Sequence, residues 1–165
     1  MSKLLVRFVV PGNPVANPRP KATTKGQVYS PKRKKLTPKQ QAEHGGRKWV
    51  THPIVTYKAA IQDAFKKVKN YAGKLNTPLR VDCLFVFERP QRLMRKSSPL
   101  GMILHGSKPD VDNLEKAVYD ALNDVAWTDD ALVSSNNTRK RYAKKLANEG
   151  YTEVSIYEDM VGESS

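Results

Sequence analysis

The segment from Leu79 to Glu88 limits the possible folds most, because its core, Cys83-Leu84-Phe85-Val86-Phe87, is continuously apolar. Such a run in a β-rich context predicts a central strand covered on both faces, since a strand with one wet face alternates. Two stretches have the pattern needed to cover it. From Pro53, which suits a first helical turn with Thr51 or His52 near the cap, Tyr57, Ile61, Ala64, Phe65 and Val68 recur at helical spacing until Gly73. A second stripe of the same period is Leu114, Ala117, Val118, Ala121, Leu122 and Val125. Residues 3–10 read as a strand ended by Pro11-Gly12, and Gln27-Val28-Tyr29 as a short β-like piece. Ala131 to Tyr142 and Tyr151 to Tyr157 read as a closing pair of strands joined around Asn148-Glu149-Gly150. The expectation is an α+β fold: a two-layer mixed β-sheet with two packed helices, in the order β-β-α-β-α-β-β. A chain of 165 residues suits one domain, residues 1–165.

Two basic loops, 11–50 and 89–107, interrupt this pattern. The first is too long for a plain connection, and loops of that length are usually functional or disordered. Within it, Lys32-Arg33-Lys34-Lys35 reads equally as a solvated run or as a phosphate-contacting arm beside Tyr29, Arg19 and Lys21. The second carries Arg89, Arg92, Arg95, Lys96 and His105 among prolines and glycines, and reads as a mobile loop bordering a site. The tail 159–165 reads as frayed.

Charge is unevenly spread. The formal net charge is +13, and before residue 51 twelve basic residues stand against the single acid Glu43. Between residues 110 and 130 the balance reverses, with seven acids against Lys116. A basic surface around a concentrated acidic site is what phosphodiester cleavage needs: the cations neutralise phosphates and the acids hold divalent ions. A generic basic protein with solvated acids has the same composition. Cys83 is the only cysteine, so no intrachain disulfide forms, and its neighbours make it a small buried apolar group. His44, His52 and His105 have no metal-ligand spacing, which disfavours structural zinc. No run approaches the roughly 18 apolar residues of a membrane span. Arg7 interrupts the short apolar N-terminus, which fits a strand better than a secretion signal, and a cytoplasmic location is expected.

The chemistry concentrates in Lys108-Pro109-Asp110-Val111-Asp112-Asn113-Leu114-Glu115-Lys116 and in Trp127-Thr128-Asp129-Asp130. Asp112 is a good N-cap, and Glu115 three residues on completes a capping-box pattern. Asp110 then sits before the cap on extended backbone, where its carboxylate can converge on Asp112, with Lys116 one turn beyond on the same exposed face. Hard oxygen ligands without His or Cys select Mg²⁺, or Mn²⁺ in its place. Each residue also has a plainer reading. Asp112 can be only a cap, Asp129-Asp130 only a turn, Asp120 and Asp124 only solvated, and Trp127 a core anchor.

The central pattern resembles that of the RusA family of Holliday-junction resolvases: Lys-Pro-Asp-x-Asp-Asn-Leu-x-Lys, then Asp-Ala-Leu, then an Asp-Asp pair. Here these are Lys108 to Lys116, Asp120-Ala121-Leu122 and Asp129-Asp130. Pro14 to Pro20 resembles the family's Pro/Arg-rich N-terminal segment, and Lys140-Arg141-Tyr142-Ala143 its end. The resemblance implies a homodimeric, Mg²⁺-dependent endonuclease that makes paired symmetric nicks in four-way DNA junctions. It implies Asp110, Asp112 and Asp130 as catalytic metal ligands and Lys116 as the catalytic lysine. Lys108, Arg19, Lys21, Lys32, Arg33, Lys34 and Lys35 are then expected to bind DNA phosphates, which fix register rather than sequence. A two-fold junction that needs two matched cuts also favours a C₂ dimer. The rival expectations are a nuclease for other branched DNA such as flaps, and a basic DNA-binding protein that does not cut.

Overall fold

The computed structural model describes residues 2–22, 24–26, 28–29, 32–68 and 73–160. In chain order the strands are β1 (Lys3–Pro11), β2 (Lys21–Ala22), β3 (Val28–Tyr29), β4 (Arg33–Lys35), β5 (Trp49–Thr51), β6 (Leu79–Phe87), β7 (Ile103–Leu104), β8 (Val133–Tyr142) and β9 (Tyr151–Glu158). The helices are α1 (Pro38–Glu43), α2 (Pro53–Val68) and α3 (Val111–Leu122). The main sheet has five strands in the order β1-β9-β6-β8-β7. It is mixed: β6 runs parallel to β8 and antiparallel to β9, and the other pairs are antiparallel. The expected α+β architecture is present, with the apolar strand β6 at its centre.

Coverage of β6 differs from expectation. Leu79, Val81, Cys83 and Phe85 are buried and share one core with the apolar faces of α2 and α3. The alternate residues Arg80 and Asp82 face away and hydrogen-bond each other at 2.8 Å and 3.0 Å, with Arg80 also 4.4 Å over the Tyr157 ring. Arg7 pairs with Glu153 at 2.9 Å in neighbouring strands. The helices therefore cover one face only. Polar residues before the apolar run carried the true period of two.

The helix stripes fold as their spacing dictates. In α2, Ile54, Tyr57, Ile61 and Phe65 are buried, Phe65 meets Phe8 of β1 edge-on at 6.1 Å, and the His52 ring accepts from the Ile54 amide at 3.1 Å. Tyr57 and Thr152 share a buried hydroxyl hydrogen bond of 2.6 Å, and burial pushes the Tyr57 phenol up. In α3, Leu114, Ala117, Val118, Ala121 and Leu122 face the sheet. No helix among the described residues is long and apolar enough to cross a membrane.

Four expectations need correction. The β-like piece at 27–29 pairs with Lys21–Ala22 in a separate ribbon, not in the main sheet; Gln27 itself lies outside the described residues. The loop 11–50 contains α1, whose Thr37 accepts from the Gln40 amide while Gln40 reaches back to the Thr37 amide. That Thr-Pro-x-Gln signal was legible in the sequence. The two closing strands do not pair with each other, because β6 lies between them. Their connection crosses the sheet's end, where Gly150 lets Asn13 approach so closely that a Cβ would lie 2.2 Å from its side-chain oxygen. Asp159 is tied rather than frayed: its amide bonds Pro78 at 2.9 Å and its carboxylate accepts from Ser134 and Ser135, which holds its pKa below the ordinary carboxylate value. Residues 161–165 lie outside the described set.

The loop 89–107 is folded around one residue. Arg89 is only 4% exposed and donates to the carbonyls of Ala143 and Pro99 at 2.7 Å each, of Leu93 at 3.4 Å, and of Gly101. The sequence marked it only as one of the basic residues of a loop expected to be mobile. Instead, four carbonyl dipoles solvate a buried guanidinium and convert the loop into a fixed wall. Replacing Arg89 with Leu strands these acceptors. Urea unfolding should show a loss of about 3 kcal/mol, with faster proteolysis between residues 94 and 101. A loss under about 0.5 kcal/mol, the range of ordinary surface changes, would show that the wall forms without it.

Candidate active site

The acidic motif sits where the chain enters α3. Asp110 is the N-cap residue, with extended backbone at φ −73° and ψ 146°, and its carbonyl accepts from the Leu114 amide at 3.2 Å. Its side chain makes no capping bond. Asp112 is therefore in the first turn and is not the cap, contrary to expectation. Glu115 does not close a capping box either. Its carboxylate accepts from Asn136 at 2.8 Å and from Thr138, both on β8. The helix begins two residues earlier than the cap preference of Asp112 suggested, and neither Asp110 nor Asp112 spends its carboxylate on the helix end. Both stand beside the positive end of the α3 dipole.

The approach to this turn is clamped. The Lys108–Pro109 peptide bond is cis. Lys140 of β8 donates to the carbonyls of Ser107 at 2.5 Å and Pro109 at 2.7 Å. Lys108 and Lys116 are both exposed, one before the acidic pair and one a turn beyond it.

The N-terminal arm packs on the same helix. The Asn17 amide donates to the Asn113 carbonyl at 3.0 Å, and its side chain donates to Asp120 at 2.8 Å. Lys58 of α2 reaches the same Asp120 oxygen at 3.3 Å, so Asp120 is a structural acceptor and not merely solvated. Arg19 then pairs with Asp110 at 3.3 Å. Of the basic run, Arg33, Lys34 and Lys35 form the exposed strand β4 against β5, while Lys32 borders a groove with Ile54, Lys58 and Gln62. Lys21 lies in β2.

Asp130 is elsewhere. It opens a 3₁₀ turn, Asp130–Leu132, that leads into β8, and it accepts from the indole nitrogen of Trp127 at 2.7 Å. Trp127 is fully buried, the core anchor it was expected to be. Bonds from Leu75 to Ala126 and from Thr128 to Leu75 hold this turn near the start of β6, whereas Lys140 holds Pro109 at the other end of β8. At about 1.5 Å per residue the 12 residues of α3 span roughly 18 Å, with Asp110 at the start of the helix and Trp127, the partner of Asp130, bridged to Asn123 just past its end. Asp129 caps the 3₁₀ turn by accepting from the Ala131 amide at 2.7 Å. Among the described residues, no three His, Cys, Asp or Glu side chains lie close enough together to hold a metal ion. Among the described residues, Asp130 does not join Asp110 and Asp112 in a group of three that could hold a metal ion. Two carboxylates still suit Mg²⁺, which commonly binds one or two protein carboxylates and completes its shell with water and substrate phosphate.

A cleft borders the motif, lined by Asn13, Glu88, Arg92, His105, Lys108 and Tyr142. The His105 ring stacks on Tyr142 at 4.1 Å and meets Phe87 at 4.7 Å, and among the described residues its buried Nδ1 makes no hydrogen bond within the usual distance and angle limits. Sequence reading passed over Asn17, Arg89 and Lys140 as site-builders. Their bonds run to distant carbonyls and carboxylates, which local patterns do not encode.

A two-layer α+β domain of strongly basic composition, with paired carboxylates and cations at one helix start, is built to act on phosphodiesters. The chain matches the model of the endodeoxyribonuclease RusA family over residues 11–157, most of its length, and belongs to that family. It is thereby a member of a nuclease family that acts on DNA. No curated protein matches the chain.

The cleft also makes a pH prediction. Burial, then the nearby Lys140 charge, lowers the His105 pKa. Below the unfolded value near 6.5, the unfolded chain takes up a proton that the folded chain refuses. Stability is therefore retained above that value and lost as pH falls from it toward the folded pKa. Urea unfolding at pH 7.5 and 5.5 should show a smaller loss for His105→Phe than for the unmodified chain. His52, shifted the same way by burial and Lys34, keeps part of the slope. Equal slopes in the two proteins would remove His105 from the account.

Proposed function

We propose that the protein is a Mg²⁺-dependent endonuclease, with Mn²⁺ able to substitute, that resolves four-way DNA junctions by paired symmetric nicks as a homodimer in the cytoplasm. The carrying observation is the pair Asp110 and Asp112 at the exposed start of α3, free of capping duty and flanked by Arg19, Lys108 and Lys116, in a chain of the RusA family. A divalent ion bound by these carboxylates would activate water and offset charge on the scissile phosphate. The chain's own residues would do the remaining work. Lys116 neutralises charge gathering on the phosphate oxygens. Lys108 and the cations of the arm, Lys21, Lys32, Arg33, Lys34 and Lys35 among them, hold the DNA backbone in register.

Two matched cuts in a two-fold junction call for two copies of this site. Asp130, bonded to the Trp127 indole in this structure, would have to give up that contact to join Asp110 and Asp112 as a ligand. A labelled four-way junction, a flap and a plain duplex, each with and without Mg²⁺, discriminate the alternatives. The junction should be cut fastest, and only with the ion. Asp112→Asn should lower the rate roughly a hundredfold or more while junction binding persists. Equal cutting by the variant would refute the site. Preference for the flap would assign a different branched substrate, and binding without any cutting would leave a DNA-binding protein.

A further inference from the structure

We propose that residues 13–20 are a built part of the active site, and that Arg19 is a catalytic residue that leaves Asp110 to clamp the scissile phosphate when the junction binds. This rests on the nuclease reading above and gives Arg19, expected from the sequence only as one of several DNA-phosphate contacts, a role at the reacting phosphate. Asn17 bonds α3 through both its amide and its side chain, at Asn113 and Asp120, which fixes the arm against the helix that carries the acidic pair. Prolines at 18 and 20 flank Arg19. Each restricts its own φ and the conformation of the residue before it, so Asn17 and Arg19 are both biased to extended backbone. The guanidinium is thus delivered to one place from a stiff, anchored segment.

The contact itself is suited to exchange. Arg19 reaches Asp110 through one nitrogen at 3.3 Å, with its side chain 74% exposed and that of Asp110 45% exposed. Exposed pairs of this kind contribute little stability, so release costs little. The planar fork of arginine matches phosphate oxygens better than a single carboxylate oxygen at that distance. In the DNA-free protein Arg19 offsets the Asp110 charge. With substrate present and Asp110 engaged as a ligand, the same cation donates to the phosphate a few ångströms away.

The test uses the full-length protein in three measurements. Mn²⁺ affinity without DNA is read by electron paramagnetic resonance, junction affinity is read in EDTA, and the cleavage rate is read at saturating junction with Mg²⁺. Arg19→Gln should bind Mn²⁺ about twofold to fivefold more tightly, because a competitor for Asp110 is gone. It should change junction affinity by less than about threefold and lower the saturated rate at least about tenfold, with Arg19→Lys recovering part of the loss. Asn17→Ala should shift Mn²⁺ affinity and rate in the same directions by less, through looser delivery. A saturated rate and Mn²⁺ affinity equal to wild type in Arg19→Gln overturn the proposal. So does a loss that higher junction concentration fully restores, which marks an ordinary phosphate contact. If the wild type cuts no junction, the functional reading fails and the phosphate transfer falls with it. Normal cutting by Arg19→Gln beside an active wild type removes Arg19 alone.

Discussion

Leu114, Ala117, Val118, Ala121 and Leu122 of α3 are buried in one core with the inward row of β6, and that burial positions the site. Fully burying one such large apolar side chain is worth about 1.5–3 kcal/mol, so the rotation of the helix about its axis is strongly determined. Once that face is down, Asp112 and Lys116 are on the exposed side. The helix cannot slide along β8 either, because Glu115 is held by Asn136 and Thr138 and the preceding turn by Lys140. The acidic pair is therefore a consequence of core packing at one end of a rigid element, the arrangement that gives a site its precision.

The charges are arranged to tolerate an acidic site in a basic protein. Asp120 and Asp124 are paired with Lys58 and Lys74. Among the described residues, Arg19 is the one cation in an ion pair with the candidate carboxylates, through a weak and exposed contact. Much of the remaining positive charge of +13 lies in the N-terminal strands and loops. DNA bound there, as proposed, would release counterions, and its affinity would fall steeply with salt. Arg89 belongs to a different economy: its charge is spent inside the protein, shaping the wall of the neighbouring cleft.

Much of this was legible in the sequence because it is encoded in local periodicity. The stripes of α2 and α3 and the central strand β6 follow from spacing alone. What stayed hidden depends on partners far along the chain. The apolar run in β6 read as doubly covered because Leu84 and Val86 interrupt an alternation that Arg80 and Asp82 began. Asp112 read as the cap because its side chain is a good one, yet the turn clamped by Lys140 starts the helix two residues earlier. Arg89 read as one more basic residue of a mobile loop because nothing local marks its four carbonyl partners. The acidic motif itself was evident as a pattern. That Asp130 is engaged by the buried Trp127 indole, and among the described residues does not join a metal-holding group with that motif, is a tertiary fact that the local pattern does not encode.

On this reading, divalent ions and phosphate meet the protein at the start of α3. Paramagnetic broadening of backbone amide signals by substoichiometric Mn²⁺ reads this directly. The account predicts that the amides of residues 109–113 fade first, together with those of the arm near Arg19, and that Asp112→Asn suppresses the effect. Broadening centred instead on the open sheet face around Asp82 and Glu153, or spread evenly over the surface, would contradict it.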